Sequence, residues 1–97
     1  MEMTKEKFLM EKANNFKAYL MQYNPSEDVL ERLSNFSEGT IMATLIITLV
    51  PLVQNGMIGQ AVAQFLPYLR SIPSGQEDEV KSKILRYMQM FHDVVIG

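Results

Sequence analysis

The chain has 97 residues, no cysteine, nine basic and eleven acidic residues and a net charge of -2. That length is one domain with its own core. The missing thiols exclude disulfides, thiolate nucleophiles, iron-sulfur clusters and the usual structural zinc sites, and the near-neutral charge offers no overall attraction for a nucleic-acid backbone or an anionic bilayer. With 47% hydrophobic and 21% charged residues, the composition is that of a folded globule.

The first helix is expected to start at Thr4 as N-cap, with Met3 and Phe8 spaced as a hydrophobic staple, and to run to about Tyr23. Leu9, Ala13, Phe16, Leu20 and Tyr23 fall in one arc at about 100° per residue, the pattern of a helix packed on a core. Acids and bases alternate here without an apolar stretch, so neither a secretory signal nor an Arg-rich transit peptide is expected, and the plain expectation is a cytoplasmic or nuclear protein. Asn24-Pro25-Ser26-Glu27 reads as N-cap, proline at the first helical position and glutamate closing a capping box. Helix 2 should begin there, carry Val29, Leu30, Leu33 and Phe36 inward, and stop before Ser37-Glu38-Gly39.

Ser37 or Thr40 can start helix 3, IMATLIITLVPLV. Its β-branched content also suits a strand, but thirteen residues is long for one, and Thr40, Thr44 and Thr48 recur at helical spacing. Asn55-Gly56 breaks the run, and helix 4 is expected from about Met57 to Ile72. Pro51 and Pro67 should bend or end these helices, because they leave the carbonyls of Ile47 and Ala63 without their usual donors. The Thr48 hydroxyl could serve a freed carbonyl, and Gly59 with Ala63 offers a face for close helix approach. Ser74-Gly75-Gln76-Glu77 is a second capping box, with Glu77, Asp78 and Glu79 where the helix dipole favours negative charge. Helix 5 then runs to about Val95, with Val80, Ile84, Tyr87, Met88, Phe91 and Val95 inward. The expected fold is all-α: one domain over residues 1–97, a compact bundle of about five helices around a buried central hairpin of helices 3 and 4.

From Gly39 to Leu69 there is no charge at all. A spanning helix needs about twenty apolar residues to cross roughly 30 Å, and each half of this run covers only about 20 Å. A membrane-interfacial hairpin is therefore an alternative without flanking basic or aromatic support. Burial in the monomer is the plain reading; burial between chains is the third. Surplus apolar residues favour contact with a polypeptide: Phe8 and Tyr19 lie to one side of the helix 1 arc, Met10 and Met21 to the other, and Leu85, Met90 and Ile96 lie outside the helix 5 arc. The eight methionines suit adaptable surfaces as well as irregular cores.

Catalytic chemistry is thin. His92 is the only histidine, placed where an imidazolium would meet the helix C-terminal dipole, and it has no second histidine for a metal. There is no HExxH, Walker loop or GxGxxG; Gly56-Met57-Ile58-Gly59 reads as turn and packing, and Ser71 or Ser82 with His92 and Asp93 has no triad context. No catalytic, cofactor or metal residue is expected. Lys81, Lys83 and Arg86 on the last helix are the candidates for an alternative, nucleic-acid-binding role, but Glu77, Asp78, Glu79 and Asp93 bracket them, as a solvated helix face would have it. The expected function is a non-enzymatic protein-interaction module that self-associates through Phe8, Met10, Tyr19, Met21, Leu85 and Met90, with neither cofactor nor small-molecule substrate.

Overall fold

The computed structural model describes residues 4–97, apart from the Glu38 side chain, and these residues are all-α. Helix α1 spans Lys5–Met21; Thr4 caps it, its hydroxyl accepting the Lys7 N–H at 3.1 Å. The expected Met3 staple lies outside the described residues. Leu9, Ala13, Phe16 and Leu20 are the buried stripe of α1, as their spacing requires. Against it lies α6, Glu77–Ile96, with Val80, Ile84 and Phe91 buried. The Phe16 ring sits 5.0 Å from that of Tyr87 and 6.0 Å from that of Phe91, tying the two long helices together.

Helix α2, Glu27–Ser34, starts two residues later than the Asn24 capping box implies. Asn24 has φ of 50°, whereas an N-cap needs extended backbone, so Ser26 takes the position instead. Asn24 and Pro25 are engaged elsewhere. Pro25 forms an antiparallel bridge with Leu69, flanked by Ser26 N–H to the Tyr68 carbonyl at 2.8 Å and Ser71 N–H to the Tyr23 carbonyl at 3.0 Å. Arg70 completes this clasp. Its backbone N–H and Nε donate to the Asn24 carbonyl, both at 3.3 Å, and its guanidinium donates to the Pro25 carbonyl at 3.0 Å. Ser26 Oγ is buried there without a hydrogen-bond partner.

The uncharged run forms helices, not strands. Helix α3, Glu38–Thr44, is capped by Ser37, whose hydroxyl accepts the Thr40 N–H at 3.4 Å. It passes through a π turn, Leu45–Leu49, into α4, Val50–Gln54, giving one continuous rod. Pro51 does not end the rod. The widened turn just before the ring, in which the Val50 N–H reaches back to the Leu45 carbonyl, absorbs the missing donor. Among the described residues no hydrogen bond joins the Thr48 hydroxyl to a freed carbonyl, so that expected repair is not used. Pro67 behaves as expected: α5, Ile58–Phe65, tightens into a 3₁₀ turn, Leu66–Tyr68, and stops.

Three further expectations are corrected. Burial of the rod is one-sided: Ile41, Leu45 and Leu49 are buried, while Ile46 is 52% and Ile47 74% exposed. Four other helices cannot surround a rod lying on one flank of so small a bundle. The Gly59–Ala63 face brings no helix close either, since a Cβ on Gly59 would meet nothing within 4 Å and Ala63 is exposed. The start of α6 is also displaced. Gln76 N–H donates to the Pro73 carbonyl at 3.0 Å, and Gly75 at φ of 89° holds a reverse turn where the capping box was expected. Glu77 still reaches back, its Oε2 accepting the Gly75 N–H at 3.0 Å.

Replacing Ser26 by Ala is expected to leave urea stability unchanged or raised, because the hydroxyl is buried without a partner. The same change at Ser37, a working cap, should cost about 1 kcal/mol. Gly59→Ala should stabilise by about 0.5–1 kcal/mol, because a helical position with open space gains from the lower backbone entropy of the unfolded chain.

Candidate functional site

The inward stripes of the helices do not close on one another completely. They enclose an apolar cavity of about 480 Å³. α1 contributes Ala13, Phe16 and Leu20; α2 contributes Val29 and Leu33, with Phe36 just after it; the rod contributes Ile41, Leu45, Leu49 and Leu52; α5 contributes Ile58, Ala61, Val62 and Phe65; α6 contributes Ile84, Met88 and Phe91. Several of these are core residues, so the space reaches the centre of the domain. Asp28, Arg32, Thr44, Thr48 and Tyr68 also line it, and all five are exposed, which puts the polar groups where the cavity meets solvent. An apolar cavity of this size, open to solvent, falls within the usual range of ligand pockets.

A second feature is the outer side of the rod. Ile46 and Ile47 are exposed, with exposed Ala43 and half-buried Val50 on the same side. Met57, 48% exposed, follows at the end of the rod. No charge lies within this stretch.

The six residues expected at an interface are distributed differently. Met10, Tyr19, Leu85 and Met90 are half-buried and pack against the core. Phe8 is half-buried under the Lys12 ammonium, which stands 5.3 Å from the ring centre. Met21 alone of the six is well exposed, at 48%. Tyr19 stands edge-on to Tyr23 at 5.4 Å, and burial, with Tyr23 next, pushes its phenol above the ordinary value. Of the basic trio, Lys81 is half-buried and Arg86 exposed, while Lys83 stands 5.9 Å from the rings of both Tyr19 and Tyr87. Stacking of this kind holds Lys83 on its own helix pair.

His92 was expected at the helix end as a dipole partner, but it is buried, with 7% exposure. Nδ1 lies 3.2 Å from the Asp93 carboxylate, and Nε2 is buried without a partner. The signal was present in the sequence, since position 92 borders the Phe91 and Met88 arc. Among the described residues no group of three acidic or histidine side chains could hold a metal, and no single helix is long and apolar enough to cross a membrane. Helix α2 with the rod passes by composition, but the pair is bent by 118° at its break. Comparison with known protein families, curated proteins and solved structures finds no match.

The His92 and Gln89 hydrogen bonds hold the Asp93 carboxyl below its ordinary 3.8. The unfolded chain therefore binds the proton more readily. The contribution to stability is complete above 3.8 and is lost as pH falls through the lower folded value. Asp93→Asn should flatten the acid limb of the urea midpoint against pH and leave the neutral limb parallel to that of the parent.

Proposed function

We propose that this chain is a non-enzymatic helical interaction module, acting in the cytoplasm or nucleus, that pairs with a second copy of itself through the outer side of the rod. The observation that carries the reading is the exposure of Ile46 and Ile47, at 52% and 74%, on a rod with no charged residue after Glu38. Scattered surface apolar residues are ordinary, but a contiguous side with Ala43 and Val50 is a patch, and depletion of charge is what distinguishes the centre of an interface from its rim. A twofold pairing needs one self-complementary surface, and an uncharged helix side supplies it. Met21, exposed on α1, is the one of the six expected contact residues that is well exposed.

The pairing is tested by sedimentation. Ile47→Lys is expected to convert a concentration-dependent dimer into a monomer, with helix content unchanged and stability within about 0.5 kcal/mol of the parent, as for a surface substitution. A parent protein that stays monomeric at every concentration, or a variant of unchanged mass, discards the reading.

A further inference from the structure

We propose that the cavity binds one single-chain apolar amphiphile, its tail among Phe16, Leu45, Val62 and Ile84 and its polar head between Arg32 and Thr48. This is a ligand site where the sequence alone led to no small-molecule expectation, and it does not depend on self-association.

Volume is the first argument. The space of about 480 Å³ falls within the usual range for ligand pockets. It is about three times an engineered cavity that holds the six carbons of benzene, so it has room for on the order of 15 to 20 carbons. Chemistry is the second. Water in a cavity needs two to four polar partners, and the deep walls here offer side chains without polar atoms, so hydrocarbon suits them and ordered water does not. The polar lining residues are all exposed ones: Asp28 and Arg32 one helical turn apart on α2, Thr44 and Thr48 one turn apart on the rod, and the Tyr68 phenol. A molecule with a long tail and one small head matches that division, whereas a sugar, nucleotide or peptide would bury polar atoms against leucine and phenylalanine. The third argument is local. The π turn, a form concentrated at functional sites, covers Leu45–Leu49, and three of its residues, Leu45, Thr48 and Leu49, face the cavity.

The head can be a carboxylate or a hydroxyl, and two probes separate them. Laurate and dodecanol, each below its aggregation limit, are titrated calorimetrically into the full chain. Saturable binding at one per chain is expected, and absence of saturable binding by both overturns the proposal. Ala61→Phe places a ring in the cavity; it should abolish binding of both probes while the melting temperature holds or rises. Undiminished binding in a folded variant overturns the site. Should that variant fail to fold, Val62→Phe with the same readouts takes its place. Arg32→Leu should weaken laurate about tenfold, the loss of one charge-assisted hydrogen bond, and leave dodecanol unaffected. Equal retention of laurate overturns the placement of the head.

Discussion

The clasp between Tyr23–Ser26 and Tyr68–Ser71 is the constraint on which the rest of the molecule depends. It joins the chain just before α2 to the chain just after α5, two segments that sequence separates by more than forty residues and that helix packing alone does not force together. Backbone hydrogen bonds set the spacing, and the Arg70 guanidinium locks it by reaching both carbonyls of Asn24 and Pro25. Helices joined by loops alone can slide until their apolar sides meet. Helices pinned at their ends cannot, and a bundle so held can keep an apolar interior space open.

The π turn works in the same direction. An α-helical rod carrying Pro51 would either break or turn its leucines away from the core. The wider turn accommodates the ring and keeps Ile41, Leu45 and Leu49 buried. The outcome is a rod with two unlike sides: one toward the interior space, bordered by Thr44 and Thr48, and one of bare isoleucine toward solvent. The proposed pairing and the proposed ligand use opposite sides of the same element, which makes the rod the natural place for one event to influence the other.

Much of the fold was legible in the sequence because periodicity and capping are local. The α1 stripe, the α6 stripe, the Thr4 cap and the stop at Pro67 follow from spacing and from the chemistry of single residues. The capping boxes at Asn24 and Ser74 misled for a shared reason: a reverse or left-handed turn beside a proline satisfied the same residues otherwise. Pairing of Pro25 with Leu69 is a contact between distant segments, and nothing near either residue announces it. The site was less legible. Helical spacing says which residues share a side and is silent on how many neighbours stand there, so half-covered Tyr19, Leu85 and Met90 read as surplus while Ile46 and Ile47 read as core. The cavity is a property of the assembled walls and leaves no mark on any one of them.

The π turn also bears on how this chain can change over generations. It holds one residue more than the α-helical turn it stands in for, so losing a single residue between Leu45 and Leu49 would restore ordinary winding and leave everything beyond it facing as it does now. Leu52 would keep its place on the cavity wall. A length change of one, which in a regular helix would turn all that follows by about 100°, is here taken up by the turn that already carries the extra residue.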